Sequence, residues 1–173
     1  NVVCVAVILE TNKRKIKVNN TLLQIMRQYI QFTHSDTEAG GILVGRENIS
    51  DSNLIIEHIS TPLPNDIRTR CRYIRKDEGH IDFYNQLYRD TNGIYAYVGE
   101  WHTHPEDVPR YSIIDLKNWK RIAKEHPMDK QYHFIIGRQQ IAIWEMNKKQ
   151  IKPILIGMVD WNEKFLQENS SEC

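Results

Sequence analysis

His102 and His104 stand two residues apart, and Pro105 follows directly. In a strand, side chains alternate with period two, so both imidazoles leave on one side. Pro105 cannot donate a ladder hydrogen bond and ends the strand. Asp115 comes after a short loop, at the start of a helical pattern that Ser112 opens. Two imidazoles and a carboxylate from two elements make the ligand set of a catalytic Zn²⁺, with the fourth position left for water. A bare HxH reads more simply as a pair of solvent-facing histidines. Pro105, Ser112 and Asp115 at these spacings favour a metal held by His102, His104 and Asp115. Other zinc hydrolases fit less well, because HExxH is absent and HxH is not continued as HxHxDH.

The elements that must position these groups follow from periodicity. Val2 to Leu9 is continuous and β-branched, which reads as a buried strand. Thr11 to Lys15 reads as a polar turn. Asn19 or Asn20 caps a helix running to Ile30, with Leu22, Ile25, Met26, Tyr29 and Ile30 at helical spacing. Paired Gly40-Gly41 lead into a short apolar strand, where glycine permits close approach of another backbone. Leu54 to Ser60 is a further strand, and its His58 has no partner at ligand spacing. Arg68 to Arg75 reads as one extended segment. Its alternating Arg68, Arg70 and Arg72 put a basic face on one side, either simply solvated or a docking surface for an acidic substrate. Asp77 caps a second helix to Arg89, with Ile81, Tyr84, Leu87 and Tyr88 as its apolar face. Ile94 to His102 is the strand that carries the histidines. Ser112 caps a third helix to Lys124, with Leu116, Trp119, Ile122 and Ala123 as its buried stripe. Three strands close the chain, at Tyr132 to Gly137, Ile141 to Met146 and Ile151 to Val159.

Composition bounds the function classes. The 173 residues suffice for one domain with a proper core, and 40% hydrophobic with 26% charged residues is ordinary for a soluble protein. A formal net charge of +1 gives no global field for nucleic acid. Cys4, Cys71 and Cys173 are scattered and odd in number, which fits a reducing cytoplasm rather than a disulfide framework. The longest apolar run, Val2 to Leu9, is too short for a membrane span and is no convincing signal peptide. The sequence begins with Asn1 rather than Met, so residues upstream of it are expected.

His102-Thr103-His104-Pro105, a gap of six residues and Ser112-Ile113-Ile114-Asp115 resemble the signature of the JAMM/MPN (JAB) family of zinc-dependent isopeptidases. Glu38-Ala39-Gly40-Gly41-Ile42-Leu43-Val44-Gly45 resembles that family's glutamate-plus-glycine strand. The likeness runs from about Val2 to Val159. It implies an α/β fold with a single-domain mixed β-sheet packed by about three helices, of the MPN/JAB, cytidine-deaminase-like kind. The domain spans 1–168, and 169–173 is a frayed tail. The resemblance assigns the general acid/base to Glu38 and steadying of the oxyanion to Ser112. A carboxylate suits that proton transfer if burial raises its pKa. Taken alone, Glu38 reads as a surface charge before a strand, Ser112 as a helix cap, and Asp115 as a carboxylate favoured by the helix dipole. Glu100, two residues before His102, stands where the best-known eukaryotic members carry an aromatic. It orients a histidine, competes as a base or pairs with an arginine; the first is the preferred reading.

Within the family, the form Gly99 to Pro105 and the compact loop Glu106 to Tyr111 resemble the JAB proteases of bacterial anti-phage (CBASS) operons. That implies removal of a ubiquitin-like conjugated protein, a CD-NTase-type nucleotidyltransferase, from its target amine. It also implies partners with a ubiquitin-like C-terminal tail, and E1/E2-like proteins encoded alongside. Two alternatives stand: a catalytically silent MPN scaffold, and a zinc hydrolase of a small amide or cysteine adduct.

Overall fold

The structure, a computed structural model, describes residues 6–163. Val2 to Val5 and the expected tail at 169–173 lie outside the described residues. Ten strands and three helices follow the chain as β1 (Ala6–Glu10), β2 (Lys15–Asn19), α1 (Asn20–Arg27), β3 (Gly40–Glu47), β4 (Leu54–Ile59), β5 (Ile67–Thr69), β6 (Arg72–Ile74), α2 (Gly79–Asp90), β7 (Ala96–Thr103), α3 (Ile113–Glu125), β8 (Gln131–Ile136), β9 (Gln140–Met146) and β10 (Ile154–Asp160). Eight strands form one mixed sheet in the order β1-β2-β4-β3-β7-β8-β9-β10, and β5-β6 form a separate hairpin. The β2/β4 and β7/β8 pairs are parallel. No helix of the described residues is long and apolar enough to cross a membrane.

The sheet is covered on both faces. Leu22, Leu23 and Met26 of α1 pack with Ile16, Val18, Leu43, Ile56, Val98, Phe134 and Ile143 on one face. On the other, Trp119 and Ala123 of α3 meet Ile135, Ala142 and Trp144, while Ile122 joins Ile42, Val44 and Tyr97 against α2. The histidine strand β7 therefore lies mid-sheet, between β3 and β8, where both faces are packed. Such a strand holds whatever it carries with little freedom.

Several expectations need correction. The first strand is not a continuous buried run. It is an edge strand that alternates, with Ile8 61% exposed. Lys15 does not close a turn but opens β2, whose Ile16 and Val18 are fully buried. The first helix stops at Arg27, and Gln28, Tyr29 and Ile30 continue only as successive turns. On α2, Phe83, Tyr84 and Leu87 face the core, whereas Ile81 and Tyr88 are exposed. The segment Arg68 to Arg75 is not one strand but the β5-β6 hairpin, turning at Arg70-Cys71. Thr69 pairs with Arg72 and Arg68 with Tyr73. Since cross-strand partners share a face, Arg68 and Arg72 point to opposite faces. The single basic face does not form.

The paired glycines act as expected. A Cβ on Gly41 would lie 2.0 Å from the Ser60 carbonyl oxygen, and one on Gly40 would lie 2.5 Å from both the Trp101 carbonyl and the Tyr73 ring. Gly40 is thus what lets the β6 hairpin lie down on the sheet beside His102, its cross-strand neighbour.

Candidate metal centre

His102 is the penultimate residue of β7, and His104 lies one residue beyond the strand, its N–H donating to the Ile136 carbonyl. The continuing ladder keeps both imidazoles on one side, as period two requires. Asp115 arrives from the first turn of α3. Ser112 caps that helix: its Oγ accepts from the Asp115 N–H at 3.1 Å, while the Asp115 carboxylate accepts from the Ser112 N–H at 2.6 Å and its hydroxyl at 2.8 Å. This reciprocal capping box aims the carboxylate back across the helix start, toward the histidines.

The three side chains converge. His102 Nε2 and His104 Nε2 are 3.0 Å apart, and Asp115 oxygens lie 3.1 Å from the first and 3.4 Å from the second. Ligands at ~2.0–2.1 Å from a tetrahedral Zn²⁺ stand roughly 3.3 Å from one another. The spacing of these donors fits such an ion. His104 Nδ1 lies 2.9 Å from Glu106 Oε1. A carboxylate there holds the proton on Nδ1 and leaves the Nε2 lone pair for a metal. Burial works to raise the Asp115 pKa, but contacts with His102 and His104 hold it well below the usual carboxylate range. Asp115 is therefore anionic at neutral pH, as a ligand must be.

Glu38 sits not on β3 but two residues before it, and it is 5% exposed rather than a surface charge. Its Oε1 is 4.0 Å from His104 Nε2. Burial pushes its pKa up to about 7, against the pull of His104. The backbone around it is fixed from four directions. The Glu38 N–H donates to the Thr69 carbonyl, and the Glu38 carbonyl accepts from Arg68 Nε at 2.7 Å. Ala39 N–H donates to Thr103 Oγ1 at 3.0 Å, and Thr103 N–H returns a bond to the Ala39 carbonyl at 2.8 Å. Arg68 thus spends its Nε on Glu38 rather than on a docking face, and Arg70 donates to the Thr33 carbonyl.

Glu100 does not orient a histidine. Arg75 Nε and Nη2 both donate to its Oε1, at 3.0 and 2.9 Å, and Tyr97 Oη adds a third bond at 3.1 Å. The orienting role falls to Glu106, one residue past Pro105. The same two-residue step that placed Glu100 near His102 places Glu106 near His104 on the other side of the proline; the sequence held that signal. His133 was also missed. It stands opposite Glu100 in the β7/β8 ladder and stacks on Trp119 at 4.5 Å. Complete burial lowers its pKa to about 3, with His102 adding to the effect, and neither ring nitrogen has a partner among the described residues. One histidine in an apolar run carries no sequence signal.

Glu38, Glu100, His102, His104, Glu106, Ser112 and Asp115 open on one cavity of about 390 Å³ between the β5-β6 hairpin, the end of β7 and the first half of α3. Tyr73 on β6 contributes its backbone N–H, which faces the Glu38 carboxylate and favours its charged form.

Residues 20–149 match the family described as prokaryotic homologues of the JAB domain. Three curated relatives are each named CD-NTase/cGAS isopeptidase. The Escherichia coli (strain TW11681) protein is 37% identical over 145 residues, 83% of this chain and 90% of its own. The Pseudomonas aeruginosa protein is 33% identical, covering 78% and 84%. The Vibrio cholerae protein is 34% identical, covering 71% and 76%. The solution structure of protein DSY2949 from Desulfitobacterium hafniense superposes with a TM-score of 0.54 at 21% identity, covering 80% of this chain and 89% of that one. At that identity the likeness concerns the fold alone.

Proposed function

The chain belongs to the family of prokaryotic JAB-domain homologues, and from that premise we propose that it is a zinc-dependent isopeptidase that frees a CD-NTase-type nucleotidyltransferase from the amine it was joined to. One observation carries the reading: His102, His104 and Asp115 converge on a single point with a buried carboxylate, Glu38, beside it. The relatives' names supply the substrate class.

In this reading His102 Nε2, His104 Nε2 and an Asp115 oxygen hold Zn²⁺. When bound, such an ion lowers the pKa of its water to roughly 7 and polarises the scissile carbonyl. Glu38 takes the proton from the attacking water and returns it to the leaving amine. Burial, which works against the charged form of Glu38, favours its taking up that proton and so suits both halves of the task. Glu106 keeps the His104 proton on Nδ1. Ser112 steadies the oxyanion; its hydroxyl hydrogen points to Asp115 here, and a hydroxyl rotor turns readily. An extended C-terminal tail lies along the open side of the β5-β6 hairpin, where the Tyr73 N–H is already given to Glu38. E1/E2-like proteins are the enzymes that make the conjugate this one removes.

The test is a CD-NTase conjugate, or a fusion carrying a reporter after the CD-NTase C-terminus. Cleavage at that C-terminus, abolished by chelator and by Glu38→Gln, is the expected result. An intact conjugate alongside hydrolysis of a small amide or cysteine adduct refutes the assignment.

A further inference from the structure

We propose that the cleft beside the metal centre contains a subsite for an acidic side chain of the substrate, formed by Arg75 and Arg121. This rests on the isopeptidase reading above and adds a specificity to it.

The lining of the cavity divides by charge. Glu38, Glu106 and Asp115 gather with the histidines at one end. Arg75 and Arg121 also line the cavity, with Glu100. Tyr97 connects the two arginines: its phenol donates to Glu100, which holds Arg75, and its ring packs with Ile122, the residue after Arg121. One carboxylate cannot neutralise both. Glu100 takes two donors of Arg75 on the same oxygen. Arg121 is left with Glu125 at 2.9 Å, a pair whose side chains are 57% and 62% exposed, and such pairs hold little energy. Asn118, itself in the lining, accepts from Arg121 Nη2 at 2.7 Å and steadies the guanidinium.

The spacing converts this into a substrate position. Glu100 precedes His102 by two strand residues, about 7 Å along β7. Arg121 follows Asp115 by six helical residues, about 9 Å along α3. Either length equals two to three residues of an extended chain at about 3.3 Å each. A Glu or Asp two or three residues from the scissile bond brings its carboxylate to Arg75 Nη1 and Arg121 Nε, the donors not given to Glu100, Glu125 or Asn118 among the described residues. A lysine at that place finds no acceptor there and is repelled by the two guanidiniums.

The test uses the zinc-loaded full chain. Fluorescein-labelled octapeptides blocked at both ends, with one Glu, Gln or Lys at each position in turn, are titrated by anisotropy. CD-NTase–reporter fusions carrying the same three residues two and three positions from the junction are assayed for cleavage. At one position Glu should exceed Lys by about tenfold, with Gln between; Arg121→Gln should bring the ratio near one and Arg121→Glu should invert it. The ratio is taken within each variant, so a general loss of activity cannot imitate the effect. A wild-type ratio near one at every position, or a ratio unmoved in Arg121→Glu, overturns the subsite. Charge-dependent peptide binding with uncleaved fusions supports the subsite and sinks the isopeptidase reading. Cleavage without charge preference does the reverse.

Discussion

Two clusters in this molecule pair histidine with aspartate, and they differ in almost everything else. Around His80, Ser60 Oγ lies 2.6 Å from Nδ1 and Asp66 Oδ2 lies 2.7 Å from Nε2. These are the distances of a hydrolase triad, yet His80 and Asp66 side chains have no exposed surface. Every valence is filled. Ser60 Oγ accepts from the Ile42 N–H, and Asp66 accepts from Tyr73 Oη and from the N–H groups of Leu63, Lys76 and Asp77. The cluster ties β3, α2 and the β6 hairpin together. Around His102 and His104 the reverse holds. Donor atoms crowd within 4.8 Å of one another and face a cavity. A closed network is a fastener, and an open one with converging lone pairs is a site. Residue types alone do not separate the two; access does.

The contrast breaks first at Glu38. Glu38→Gln should keep fold and metal content and lower cleavage by about a thousandfold, since an amide cannot carry the proton. Wild-type melting temperature with cleavage lost is the outcome expected; retained cleavage moves the base elsewhere. At the other cluster, Asp66→Asn should cost on the order of 2–4 kcal/mol of stability in urea unfolding, because it strands buried donors. That cost depends on pH. Burial works to raise the Asp66 pKa, but the Asp77 and Leu63 amides and His80 hold it well below the ordinary range. The unfolded chain takes the proton first, near pH ~3.9. The stabilisation is therefore complete above that pH and is lost as pH falls toward the folded value. The gap between wild type and Asp66→Asn should narrow below about pH 4; a constant gap contradicts an ionised Asp66.

Smaller effects sharpen the metal side. Glu106→Gln should weaken zinc about 10–100-fold by loosening His104, measured by competition with a chelating dye. Glu100→Gln should leave zinc affinity unchanged, because its bonds go to Arg75 and Tyr97 and not to a ligand. Equal losses in the two variants would return Glu100 to the metal.

What the sequence made legible was whatever short spacing controls. The step from His102 to His104 and that from Ser112 to Asp115 each lie within one strand end and one helical turn, so period and capping dictate them. Helix and strand order was legible for the same reason. The hairpin was not, because its turn at Arg70-Cys71 contains neither glycine nor proline. With the hairpin went the burial of Glu38, which depends on Arg68 and Thr69 thirty or so residues on. Ser60, Asp66 and His80 come from separate segments with no motif between them. The strand β2 hid because Lys15 and Lys17, two of the five residues of Lys15–Asn19, face solvent.

A metal-dependent isopeptidase loses its activity with its metal and regains it on reloading. Protein purified without chelator is assayed on a CD-NTase–reporter fusion, stripped of metal, assayed again, and then titrated with Zn²⁺. Cleavage at the CD-NTase C-terminus should vanish on stripping and return in full at about one zinc per chain, with no return in His104→Ala. Cleavage that survives stripping, or that returns equally in His104→Ala, contradicts the account.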